Sequence, residues 1–180
     1  LGVDFYAFSL YKTYGPHLGL LYGKKEILDL LPNQNHEFLE GDVPYTLNPG
    51  GPNHEELSCL IGVYEYFNNL FEHHFPGQEG SVREKIVAVN ELIAHHEMEI
   101  ANPLFDYINS RDDINLIGKN QISNKDRAPT IAFTMNNKSS KELSSNLVKH
   151  GIATRNDNFY AWRCLKALGI DVDDGVVRTS

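Results

Sequence analysis

Asp4-Phe5-Tyr6-Ala7-Phe8-Ser9-Leu10-Tyr11-Lys12-Thr13-Tyr14-Gly15-Pro16 is the stretch from which the rest of the chain is read. An apolar, strand-like run from Val3 to Phe8 enters it, and a second run, Leu18 to Tyr22, leaves it. Gly15-Pro16 marks a turn between them. The pattern predicts strand, turn, strand, with Lys12 held between a buried strand and the Gly-Pro turn. An ammonium so placed must pair with an anion or lose its proton, because an unpaired buried charge is costly. A lysine with a nucleophilic amine suits Schiff-base chemistry with an aldehyde. A surface lysine in a loop fits this stretch equally well on its own, since most lysines are exposed. Ser9, three residues earlier, adds a hydroxyl that can donate to a phosphate.

The 180 residues carry a formal net charge of -8, enough chain for one large domain or two small ones with a hydrophobic core. The acidic balance and the absence of any basic run argue against nucleic acid as a partner. Cys59 and Cys164 have neither metal-ligand spacing nor the density of a disulfide framework, which fits a reducing cytoplasm. No apolar stretch approaches the roughly 20 residues of a membrane span, so no membrane partner is expected. The sequence opens at Leu1 inside one strand-like pattern and stops at Val176-Val177-Arg178-Thr179-Ser180 in another. It reads as a fragment of a larger fold.

Further along, Lys24 to Leu31 has helical spacing stopped by Pro32, and a short strand is possible near Tyr45 to Leu47. Asn53 caps or precedes a helix over about Glu55 to His73, with an apolar stripe through Leu57, Leu60, Ile61, Tyr64 and Phe67. Ser81-Val82-Arg83-Glu84 is a capping-box pattern opening a long helix, which Pro103 is expected to kink or restart before Leu104 to Ile108. The last third alternates: strands at Ile114–Ile117, Ala128–Thr134, Ile152–Thr154 and Val176–Arg178, with helices from Ser139 or Ser140 to His150 and from Tyr160 to Leu168. That layout predicts a small α/β lobe with helices on one side of a sheet.

Two histidine pairs, His73-His74 and His95-His96, invite a metal, but adjacent helical residues point about 100° apart and do not converge on one ion. They read as exposed helix-face residues, and no metal site is assigned. Asp171, Asp173 and Asp174 lack the spacing and closing glutamate of a calcium loop and read as a solvated turn.

The Asp4–Pro16 stretch resembles the cofactor-lysine segment of class V aminotransferases and cysteine desulfurases, pyridoxal-phosphate enzymes of fold type I. The resemblance continues in order through Gly19-Leu20-Leu21-Tyr22-Gly23, Gly50-Gly51-Pro52-Asn53, Arg127-Ala128-Pro129-Thr130-Ile131-Ala132-Phe133 and Gly175-Val176-Val177-Arg178-Thr179-Ser180. It implies an α/β architecture: residues 1–80 as the end of the large cofactor-binding domain, and 81–180 as a connecting helix and a truncated small domain. It implies that Lys12 forms a Schiff base with pyridoxal 5'-phosphate and shuttles protons, that Ser9 and Tyr11 hydrogen-bond the cofactor phosphate, and that Arg178 binds the carboxylate of a small amino-acid substrate. A bidentate guanidinium suits that last task, although an ordinary surface ion pair would use the same residue. A homodimer is implied as well.

Departures from the family narrow this. Tyr11 stands where desulfurases carry a histidine, and Gly51 stands where many members carry a threonine. Tyr160 occupies the position of the persulfide-forming cysteine in the loop Ala153 to Ala161; Cys164, one helical turn on, is expected to pack against the small-domain core. Sulfur transfer through a persulfide is therefore disfavoured, while transamination, elimination and epimerisation stay open. The family's ring-stacking aromatic and pyridine-pairing acid belong to the region before the lysine. The alternative is thus a non-catalytic fragment or interaction module without cofactor.

Overall fold

Two apolar runs and the turn between them build the hairpin that carries Lys12. In the computed structural model, which describes residues 2–42, 45–48, 50–120 and 127–179, strand β1 (Phe5–Ser9) pairs antiparallel with β2 (Gly19–Gly23), from Phe5 opposite Gly23 to Ser9 opposite Gly19. Leu1 and Ser180, the ends of the sequence as read above, lie outside the described residues. The chain divides into two compact units, Leu1–Val89 and Asn90–Ser180.

In the first unit the open end of the hairpin is closed by Lys24, whose Nζ lies 2.7 Å from the Asp4 carboxylate. The strands are not buried as expected: Phe5, Tyr6, Leu20, Leu21 and Tyr22 are all exposed. Helix α1 keeps only Lys25–Leu28 of its predicted span. The expected strand near Tyr45 to Leu47 is a turn, because its carbonyls are used locally: Gln34 N–H donates to Thr46 O at 2.9 Å and Asn35 Nδ2 to Tyr45 O at 3.2 Å.

Helix α2 (His54–His74) starts where its cap predicts, with Asn53 Oδ1 accepting from Glu56 N–H at 2.9 Å. Of the expected stripe Phe67 is buried, joined by Phe71, whereas Ile61 and Tyr64 stay exposed. Helix α3 (Val82–Asn109) opens with the capping box: Ser81 N–H donates to Glu84 Oε2 at 2.8 Å and Glu84 N–H reaches Ser81 Oγ at 3.4 Å. Pro103 does not break it. An interior proline costs about 3 kcal/mol, but Ala101, Phe105 and Ile108 on the same segment are buried in the core of the second unit. Burying each large side chain returns about 1.5–3 kcal/mol, so packing outweighs the lost backbone bond.

The second unit holds a four-stranded antiparallel sheet in the order β3 (Ile114–Leu116), β4 (Ile131–Met135), β6 (Val176–Thr179), β5 (Arg155–Asp157). Ile131, Phe133 and Val177 form one buried cluster with the end of α3, and Leu143 and Leu147 of α4 (Ser140–Lys149) pack against it. This is the small α/β lobe read from the sequence. Ser139 caps α4 through Glu142 N–H at 3.1 Å. Ser139→Ala is expected to cost about 1 kcal/mol of stability, read as a lower denaturation midpoint.

One strand is displaced from its expected place. Ile152–Thr154 was the expected strand, but Ile152 N–H donates to Leu147 O at 3.1 Å and Gly151 N–H to Val148 O at 3.0 Å, closing α4 with Gly151 at φ +75°. That closure is the six-to-one motif that favours glycine after a helix, and it shifts pairing with β6 to Arg155–Asp157. The last helix, α5 (Trp162–Ala167), buries Leu165. Cys164 is exposed and not packed in the core as expected, because on so short a helix the neighbour of a buried residue points away. Asp174 is more than part of a solvated turn: its carboxylate accepts Ser140 N–H at 3.0 and 2.9 Å, tying the β6 turn to the start of α4.

Candidate functional site

Leu10 is the anchor of the Lys12 turn. It is buried, its N–H donates to Leu18 O at 2.8 Å, and its carbonyl accepts Gly15 N–H at 2.9 Å and Thr13 Oγ1 at 3.0 Å. These bonds fold Leu10–Thr13 into a 3₁₀ turn with Ser9 at its start and Tyr14 closing it at φ +64°. Ser9, still extended, stands at the start of this turn, and Lys12 lies within it. Tyr14 fastens the turn to α2 through ring contacts with Tyr66 at 5.2 Å and Phe67 at 5.8 Å.

Lys12 is exposed, so the burial argument for an activated amine does not hold in this chain. Its Nζ lies 5.6 Å from the centre of the Tyr11 ring, and Tyr11 is half exposed. Among the described residues neither Lys12 Nζ nor the half-buried Ser9 hydroxyl has a hydrogen-bond partner. A primary amine and a hydroxyl, both uncommitted on one turn, fit the aldehyde and phosphate ends of pyridoxal phosphate. His17 was missed in the sequence; its ring sits 4.8 Å from Tyr11, and its place two residues after Gly15 was the available signal.

Arg178 belongs to the second unit. On β6 Val177 faces the core, so alternation turns Arg178 to the opposite face of the sheet, across from Ala132 on β4 and Arg155 on β5. Among the described residues no carboxylate pairs with it; its guanidinium carbon lies 3.8 Å from the centre of the Phe159 ring. Phe159 and Tyr160 are consecutive non-glycine residues at φ +51° and +61°. Tyr160, at the cysteine position of the resemblance, is fully exposed. The strain is held by side chains: Asp157 Oδ1 accepts Asn158 N–H at 2.7 Å and Asn158 Oδ1 accepts Tyr160 N–H at 3.1 Å. Nothing in the one-dimensional pattern pointed to Phe159, since the contact depends on the register of β5 against β6.

His95 and His96 are exposed on α3, facing Glu99 at 3.5 and 3.8 Å. Among the described residues no group of three or more histidine, cysteine or acidic side chains could hold a metal, and no helix is long and apolar enough to cross a membrane.

An aminotransferase-like protein, FGM3 of Gibberella zeae, is 32% identical over 184 residues, covering 100% of this chain and 42% of its own length. A probable cysteine desulfurase of Pseudomonas putida is 24% identical over 192 residues, covering 100% of this chain and 41% of its own. Among solved structures, the cysteine desulfurase CsdA of Escherichia coli superposes over 99% of this chain and 41% of its own with a TM-score of 0.65 at 24% identity. By sequence and by fold, the chain is similar to aminotransferase-like and cysteine desulfurase proteins. Its α/β architecture matches that of the solved cysteine desulfurases. No protein-family model matches the sequence. The chain spans about two fifths of the length of these relatives, 41–42%.

Proposed function

We propose that the protein containing this chain is a pyridoxal-phosphate-dependent enzyme of the class V group that acts on a small amino acid. In this reading residues 1–80 end its cofactor-binding domain and 81–180 supply the connecting helix and small domain. The observation that carries it is the uncommitted amine of Lys12 on a fixed turn beside Ser9, in a chain aligned along its whole length with an aminotransferase-like protein. Pyridoxal phosphate, when bound, supplies the electron sink for bond breaking at the substrate's α-carbon.

The chain's own residues do the rest. Lys12 would hold the cofactor through its amine, and its Nζ would take and return a proton. The Ser9 hydroxyl and the Tyr11 phenol donate to the phosphate. Arg178 binds the substrate carboxylate through paired N–H groups. Tyr160 in place of a thiol leaves no nucleophile for a persulfide at that position, so the reading favours transamination, elimination or epimerisation over sulfur transfer. A homodimer in the cytoplasm fits the same reading; the thiols of Cys59 and Cys164 are free.

Exposure of Lys12 favours a second reading, in which this chain by itself binds no cofactor. Spectroscopy separates the two. Adding pyridoxal phosphate to the purified chain is expected to produce a new visible absorbance band that borohydride abolishes, with the reduced adduct mapping to Lys12 by peptide mass. An adduct spread over surface lysines, unchanged in Lys12→Ala, would leave the second reading.

A further inference from the structure

We propose that Phe159 is the positioning residue for Arg178: its ring covers one face of the guanidinium and leaves the N–H edge to meet a carboxylate. The proposal rests on the reading of Arg178 as the carboxylate-binding residue.

The guanidinium carbon sits 3.8 Å from the centre of the Phe159 ring, the separation of a stacked cation on an aromatic face. Stacking occupies the plane of the group and not its in-plane N–H donors, the ones that grip a carboxylate in a bidentate pair. An arginine has several rotatable bonds, and holding it in one arrangement ahead of binding removes part of the ordering cost that a ligand would otherwise meet. Arg178 has no acidic side chain among the described residues to do this, and its cross-strand neighbour is another cation, Arg155. Two like charges directly opposite on one face disfavour each other. The ring is the group that fixes Arg178, and the paired positive charge favours an anion there.

The loop is built to put the ring in place. Phe159 adopts φ +51°, a conformation uncommon for a bulky residue, and Tyr160 follows at φ +61°. Asp157, Asn158 and their backbone bonds hold this arrangement: Ala161 N–H donates to Asn158 O at 2.8 Å, and Asn158 Nδ2 reaches Val172 O at 3.4 Å. Tyr160 projects into solvent, so of the two strained residues only Phe159 contributes its ring to the arginine.

The test uses the 180-residue chain with L-alanine as the carboxylate probe, followed through the side-chain Nε–H resonance of Arg178, assigned by its disappearance in Arg178→Gln. In the wild type that proton is expected upfield from the ring current and to shift saturably with L-alanine. Phe159→Leu is expected to lose the upfield position and to weaken binding about three- to tenfold, whereas Phe159→Trp retains both. Backbone amide spectra report whether each variant is folded, and Phe159→Trp keeps the proposal testable should the leucine variant unfold. Wild-type affinity and an unmoved resonance in a folded Phe159→Leu, with Arg178→Gln failing to bind, would overturn the positioning role alone. Absence of saturable binding to the wild type, or equal binding to Arg178→Gln, would remove the carboxylate reading and the positioning role with it.

Discussion

On the function proposed above, replacing Lys12 with alanine in the full-length protein is expected to lower turnover by about 10²–10⁴-fold or more, the range associated with removing a positioned proton-transfer group. The residue is asked to do two jobs, holding the cofactor and moving a proton at Nζ, so the loss should appear in kcat and not only in KM. Added methylamine should restore part of the rate to Lys12→Ala, because a small primary amine can replace the missing one in solution. The turn itself should survive: its frame is the Leu10 carbonyl and N–H, and no hydrogen bond among the described residues uses Lys12 Nζ. Arg178→Lys should differ in kind, raising KM through loss of a bidentate contact while leaving a measurable kcat. A Lys12→Ala enzyme with unchanged turnover would end the assignment of the lysine, whatever the fold.

Much of the architecture was legible because it is written locally. Asn53, the Ser81–Glu84 pair and Ser139 each satisfy backbone groups within three residues of themselves, so their helices begin where the sequence says. The hairpin around Lys12 was legible for the same reason. What failed depended on distant partners. Ile152 looked like strand, but its N–H closes α4, and the pairing partner of β6 moved on to Arg155. Pro103 looked like a break, but Phe105 and Ile108 gain more in the core than the helix loses. The site divides in the same way. Ser9 and Lys12 could be grouped by spacing and Tyr11 by the resemblance alone, whereas Phe159 meets Arg178 only through strand register. The burial expected at Lys12 failed because β1 and β2 expose the apolar side chains of the two strand-like runs that were assigned to a core.

Gly175→Ala is expected to be the most destabilising single methyl addition in the second unit. Gly175 sits at φ +72°, where an L side chain is strained, and a Cβ there would collide with the carbonyl carbon and oxygen of Asp157. The obstructing atoms are backbone, so no rotamer change relieves the clash; β5 or the turn before β6 must move. Asp157 is paired opposite Val176, and Val177 next to it is fully buried, so the movement would be transmitted into the core. The combined conformational and steric penalty is expected to exceed about 3 kcal/mol, a magnitude reserved for a short set of mechanisms of which this is one. Chemical denaturation should show it as a lower midpoint with little change in slope. The same displacement should reach the Arg178 face of the sheet, since Asp157 Oδ1 fixes Asn158 and Asn158 fixes the backbone on either side of Phe159. Gly175→Ala should therefore also lose the ring-current shift on Arg178 under conditions where the chain is still folded. A variant as stable as the wild type would mean that the turn can retreat from β5 at no cost, and that the packing of Gly175 on Asp157 does not hold the loop.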